Sequence, residues 1–352
     1  MKGSCDPRFA PVREAFRANL EEEIGAAVVV LAGGRTVVDL CGGWADAART
    51  RPWKPDTAVD VFSTGKAFVA LTLLSLGLDL DGPAWQDATL RQVLSHQAGH
   101  PAIREELPPE ATYEWERLVD ALESQEPWWE PGTAHGYHVN TFGFLCGEIV
   151  RRACGETLGE RFARLAGAEA GVAFGAPEGA EVAEFVWDFG DGESTDGGAE
   201  LGEEQRLLLA RAYFNPPGIN GLGTVNTPEW RAAEIPSANA HGSARGVAQV
   251  FNRIPTLLGE DVLDEATRPW SDGEDFVLGR RTCFGLGFQL TQPDRPLGTG
   301  PSSYGHFGAG GSLGFHDPDA EIVFAYVCNR CEGRRWQTAR NRRLLDALAG
   351  CL

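Results

Sequence analysis

Lysine is nearly missing from this chain. Of 31 basic residues only Lys2, Lys54 and Lys66 are lysines, and arginine supplies the rest. Positive charge is short altogether: 50 acidic residues leave a net charge of −19, which argues against nucleic acid and anionic membrane surfaces as partners. No apolar run reaches the roughly 18 residues that a membrane-crossing helix needs. The start, Met1-Lys2-Gly3-Ser4-Cys5-Asp6-Pro7, has no apolar core segment and no cleavage pattern, so no secretory signal is expected and the protein is expected to be cytoplasmic. Internal repeats and low-complexity tracts are absent. The eight cysteines are scattered and read as reduced thiols. Cys328 and Cys331 form a C-x-x-C pair without the second pair that a structural zinc site needs, and no metal or cofactor is expected.

What is present reads as a globular protein. The chain has 352 residues, 43% apolar and 23% charged, enough for one large domain. Apolar spacing predicts an amphipathic helix over Pro7–Glu23 with Phe9, Val12, Phe16 and Leu20 on one face. A β-hairpin follows, Ala26–Leu31 and Thr36–Leu40 around Ala32-Gly33-Gly34-Arg35. Val61–Leu78 is apolar nearly all round, as in a buried helix. Further helices are expected over Thr89–His96, Tyr113–Gln125, Phe142–Cys154, Ser243–Leu258 and Arg334–Leu348. Strands are expected over Phe284–Thr291, Gly308–Phe315 and Glu321–Cys328. Gly175–Gly202 is acidic and Gly-rich and reads as a surface loop, and Pro216–Pro228 as a second loop. Strands at both ends with helices between them predict an α+β fold. One antiparallel sheet is assembled from both termini, with a mostly helical subdomain inserted. The sheet lobe takes about 1–60 and 240–352, and the helical lobe about 61–239.

Lys66 carries the chemistry. It lies in the apolar stretch Val61-Phe62-Ser63-Thr64-Gly65-Lys66-Ala67-Phe68, three residues after Ser63. On a helix those positions share a face, so hydroxyl and amine meet. A buried lysine can become neutral and take a proton, which arginine cannot. With 12 serines and three lysines, a chance S-x-x-K arises about 0.1 times per chain of this length, so the motif alone is only suggestive. A second element is Tyr137, which precedes a predicted helix in Pro131-Gly132-Thr133-Ala134-His135-Gly136-Tyr137. A phenol there can act as general acid/base if a cation such as Lys66 lowers its pKa. The third is Gly305-His306-Phe307-Gly308-Ala309-Gly310-Gly311-Ser312. Small residues let backbone approach a substrate closely and offer N–H groups to an oxyanion. A phosphate cradle would want a helix directly after these glycines, and a strand is predicted instead.

These elements, in this order, resemble the serine β-lactamase/penicillin-binding-protein superfamily. The nearest likeness is to β-lactamase-like carboxylesterases, the family-eight esterases, and related acyltransferases. Leu94-Ser95-His96-Gln97-Ala98-Gly99, Pro236-Ser237-Ala238-Asn239-Ala240-His241-Gly242, Phe284-Gly285-Leu286-Gly287-Phe288 and Tyr326-Val327-Cys328-Asn329-Arg330 extend the resemblance along the chain. It implies a β-lactamase/transpeptidase-like fold, Ser63 as nucleophile, Lys66 as its base and Tyr137 as second acid/base. His306-Phe307-Gly308 would replace the K-T-G box, and the N–H groups of Ser63 and Ala309 would form the oxyanion hole. Two departures stand against a lactamase: Asn140 falls one place late for Y-x-N, and the K-T-G lysine is gone.

The expected activity is hydrolysis of a small-molecule carboxylic ester through an acyl-serine. The alternative is transfer of an acyl group from an ester or thioester to an amine or alcohol in natural-product biosynthesis. A β-lactamase or D-amino peptidase ranks below both, as does an inactive binding scaffold. Other motifs are set aside. Asp188-Phe189-Gly190 lacks the rest of a kinase, and His135 with His138 lack further metal ligands. The cluster Trp115, Trp128 and Trp129 reads as core more than as site, though on this scaffold it could line an acyl pocket.

Overall fold

The two ends of the chain build one sheet. The computed structural model describes residues 1–188, 202–332 and 337–352. Strands Lys2–Cys5 (β1), Gly25–Ala32 (β2) and Arg35–Gly43 (β3) come from the start of the chain. Ser271–Asp275 (β4), Arg280–Phe284 (β5), Gln289–Leu290 (β6), Tyr304–Phe307 (β7), Leu313–Asp317 (β8) and Ile322–Cys328 (β9) come from its end. All pair antiparallel in the order β1-β3-β2-β9-β8-β7-β6-β5-β4. The seam between the two ends runs from Ile322 opposite Ala32 to Cys328 opposite Ala26.

Both faces of that seam are covered. Val28, Val30, Phe324 and Tyr326 pack with Phe16 and Leu344. These come from helices Ala10–Glu22 (α1) and Ala339–Ala349, which lie against each other. Val29, Leu31, Val323 and Ala325 face Val247 and Phe251 of helix Ala244–Leu258. Burial on both sides explains why β2 and β9 read as continuous apolar runs rather than alternating ones. The expected helices over 7–23 and 243–258 form within a few residues of their predicted bounds.

Between the ends lie the helices that carry the site: Lys66–Leu74 (α2), Thr141–Cys154 (α3) and Glu203–Phe214 (α4). In chain order the two already described become α5 (Ala244–Leu258) and α6 (Ala339–Ala349). The residues of α2 are all buried, as their composition requires.

Local pattern fails where the partner is distant. Val61–Leu78 is not one helix: a 3-10 turn over Phe62–Gly65 leads into α2, which ends at Leu74. The stretch expected as a strand over 308–315 contains a tight turn, Ala309–Gly311, before β8. Of the acidic stretch 175–202, positions 189–201 lie outside the described residues, as does the expected helix start at Arg334. Val186–Asp188 forms a strand parallel to Arg330–Glu332, a pairing no local signal announces. α4, β1, β4 and β7 also went unpredicted.

Candidate active site

The site begins with a strained turn. Phe62 has φ = 48°, unfavourable for a bulky side chain, and stands directly before Ser63. The buried Asp60 carboxyl fixes it, accepting from the Phe62 N–H at 2.8 Å and from Trp230 Nε1 at 2.8 Å. Burial holds the Asp60 carboxyl well above the usual carboxylate range, against those hydrogen bonds. Within this buried stretch Ser63 is the partly open position.

One turn later Lys66 is 0% exposed. Its Nζ donates to the Ser237 carbonyl at 2.9 Å and to Ser63 Oγ at 3.2 Å. Ser237 is in turn tied to α3, where the Gly143 N–H donates to its Oγ at 2.7 Å. Desolvation pushes the Lys66 amine well below the ordinary lysine range; Cys146 acts weakly the other way.

Tyr137 closes the group. Its ring lies 5.0 Å from Lys66 Nζ, stacked on Phe284 at 5.7 Å and edge-on to His96 at 5.1 Å. Both Asp275 oxygens accept from the Tyr137 N–H, at 3.1 and 3.0 Å. Burial raises the phenol well above its usual pKa, while a hydrogen bond with Ser63 opposes the rise. Burial is its largest cause, so the shift runs opposite to the lowering that a neighbouring cation would give.

The Gly-rich segment completes the rim. Ser312 Oγ donates to the Val61 carbonyl at 2.8 Å, and the Gly308 N–H donates to Ser312 O at 2.7 Å. A Cβ on Gly308 would sit 2.1 Å from Ser312 Oγ and 2.2 Å from Val61 O, so the two turns abut only with glycine there. Ala309 is exposed between buried Gly308 and Gly310. His306 is not at the mouth. It is buried, with Nδ1 2.6 Å from Phe307 O and its ring 6.0 Å from Tyr137. Burial pushes it down to about 3, so it is neutral and cannot stand in for a K-T-G lysine cation.

The remaining candidates separate. Trp115 packs on Phe144 and hydrogen-bonds Glu148, while Trp128 and Trp129 pack against the Tyr137 cluster. His135 bonds Thr282 and His138 bonds the His100 N–H. No group of three or more possible metal ligands occurs among the described residues. No disulfide joins the cysteines, and no helix among the described residues is long and apolar enough to cross a membrane. Asp60, Asp275 and Trp230 were not singled out from sequence. Ser237, Ser312, His96 and Phe284 lay in motifs already noted, without a role assigned to them.

Comparison with known proteins agrees with this architecture. The Beta-lactamase family model matches residues 12–349. The chain is 29% identical to "Esterase/beta-lactamase LipL" of Mycobacterium tuberculosis (strain ATCC 25618 / H37Rv), over 93% of this chain and 82% of that protein. A family VIII carboxylesterase structure superposes with a TM-score of 0.88 at 33% identity, covering 100% of this chain and 99% of that one. A penicillin-binding protein homolog from Caulobacter crescentus does so with a TM-score of 0.87 at 32% identity, covering 100% and 99%. With a matching sheet, a matching family model and relatives aligned along its whole length, the chain belongs to the beta-lactamase family and is a serine hydrolase of that fold.

Proposed function

We propose that the protein is a carboxylesterase working through an acyl-enzyme on Ser63. The observation that carries this reading is Lys66: fully buried, driven toward the neutral amine, and 3.2 Å from the Ser63 hydroxyl. A neutral amine at that distance can take the serine proton as Oγ attacks the ester carbonyl. The tetrahedral oxyanion then falls to the N–H groups of Ser63 and Ala309. Tyr137, a neutral phenol in hydrogen-bond contact with Ser63, delivers a proton to the departing alkoxide. In deacylation the Tyr137 phenolate takes a proton from the attacking water, and the Lys66 ammonium returns one to Ser63 Oγ as the acid departs.

Esters are favoured over lactams because His306, pushed down to about 3, offers no cation to a lactam carboxylate. The name of one structural relative, a family VIII carboxylesterase, points the same way, while the relative named esterase/beta-lactamase carries both activities in its name. The site draws Ser63, Lys66 and Tyr137 from the helical lobe (61–239) and Ala309 from the sheet lobe (1–60, 240–352), so we read the chain as one catalytic unit. Eight thiols without a disulfide suit a cytoplasmic setting.

The test is a p-nitrophenyl ester series, acetate to octanoate, with intact-protein mass recorded during turnover. An adduct on Ser63 that clears in water supports the esterase. An adduct that persists until an amine or alcohol arrives makes the protein a transacylase, and no adduct with any ester contradicts the reading.

A further inference from the structure

The turn Ala309–Gly311 is held from its buried side by groups the proposed mechanism does not use. Gly310 and Gly311 have φ of 80° and 108°, conformations that glycine tolerates but does not enforce. Something else must select them. The Gly310 carbonyl accepts from Arg340 Nη2 at 3.2 Å and from Cys328 Sγ at 3.3 Å. The Gly311 carbonyl accepts from Asn341 Nδ2 at 2.7 Å. Two successive carbonyls of a three-residue turn are thus gripped by the first turn of α6.

The grip is itself anchored. Arg340 Nη1 pairs with Glu23 Oε1 at 2.7 Å, with side-chain exposures of 1% and 0%. The Tyr326 hydroxyl donates to the same oxygen at 2.7 Å. The Arg340 carbonyl accepts from Asn19 Nδ2 at 3.1 Å, which ties α6 to α1. Asn341 Oδ1 accepts from the Thr338 N–H at 3.0 Å, so one side chain both caps the helix and holds the turn. A buried ion pair is seldom a net source of stability against an apolar replacement. Its geometry here serves another end, since the guanidinium can reach Glu23 and the Gly310 carbonyl only in one orientation.

We propose that Arg340 and Asn341 are positioning residues for the oxyanion turn: by gripping the Gly310 and Gly311 carbonyls from behind, they hold the exposed Ala309 against Ser63. The inference rests on the acyl-enzyme reading. It makes the C-terminal helix part of the transition-state machinery without contact with substrate. Displacement of an oxyanion donor by about 1 Å is enough to slow acylation on the order of 10²-fold.

Two variants test it. Asn341→Asp keeps the Oδ1 cap and removes the donor to Gly311. Glu23→Gln with Arg340→Met removes the ion pair without stranding a buried charge. Single-turnover acylation by p-nitrophenyl butyrate, KM, and affinity for butylboronic acid, which adds to serine as a tetrahedral adduct, are measured for each beside wild type. The expected result is acylation slowed roughly 10- to 100-fold, boronate affinity falling in parallel, and KM within about threefold. Variants that acylate as fast as wild type and bind the boronate equally overturn the proposal, as does a loss confined to KM. If the double variant does not fold, Asn341→Asp alone decides. A wild type that forms no Ser63 adduct overturns the acyl-enzyme reading and this one with it. A wild type that acylates beside equally fast variants overturns only the role of Arg340 and Asn341.

Discussion

The Ser237 carbonyl accepts a 2.9 Å hydrogen bond from Lys66 Nζ, and it is a neutral acceptor rather than a carboxylate. A carboxylate partner would have kept the amine charged. A carbonyl orients it and leaves burial to lower its pKa. The cost falls on stability. Because the folded pKa lies below the unfolded value, the unfolded chain binds the extra proton between them, and stability rises with pH across that window. Lys66→Met should therefore raise the unfolding midpoint at pH 7 and flatten its rise toward pH 10, while lowering kcat/KM by roughly 10²-fold or more. Urea titrations at several pH values read the first effect. An unchanged pH slope would show that Lys66 stays charged in the fold.

The pH–rate profile follows from the same shift. An acid limb in kcat/KM should appear well below the ordinary lysine pKa of about 10.4 and belong to the Lys66–Tyr137–Ser63 group rather than to a histidine. His306 is pushed down to about 3 and stays neutral across the working range. His306→Asn should leave the limb where it is. A limb that disappears in this variant would assign it to His306.

Asp60 holds the strained Phe62 with one oxygen and Trp230 with the other. Asp60→Ala leaves two buried N–H groups without an acceptor, at a cost of about 1–3 kcal/mol each. Chemical denaturation should show that loss, and acylation of the folded fraction should also slow as the turn before Ser63 relaxes. Normal acylation in a destabilised variant would confine Asp60 to a structural part.

Gly308 separates two contacts that a methyl would fill, Ser312 Oγ and Val61 O. Gly308→Ala should drive the Ala309 turn away from Ser63 and cut kcat on the order of 10²-fold, with little change in KM. Wild-type kcat in this variant would show that the two turns need not abut.

Much of this was legible beforehand, and the reason is local. Ser63 and Lys66 are three residues apart, so spacing suggests that they meet, and the family resemblance along the chain adds Tyr137 in its short loop motif. The antiparallel sheet from both ends also follows from pattern, because strand signals fall at both ends of the chain with helical ones between them. What stayed hidden depends on distant partners. Ser237 meets Lys66 across 171 positions, and Asp275 meets Tyr137 across 138. The turn at Ala309–Gly311 read as strand because its conformation is imposed by Arg340 and Asn341, not by its own residues. The Tyr137 shift could not be read from sequence because burial, its largest cause, is a property of the fold.

The most direct test is the mass of the intact protein within seconds of mixing with p-nitrophenyl butyrate, for wild type and Ser63→Ala. The account predicts a butyryl adduct on wild type that maps to Ser63 and decays in water, with none on Ser63→Ala. Equal ester turnover by Ser63→Ala, or an adduct mapping to another residue, would contradict it.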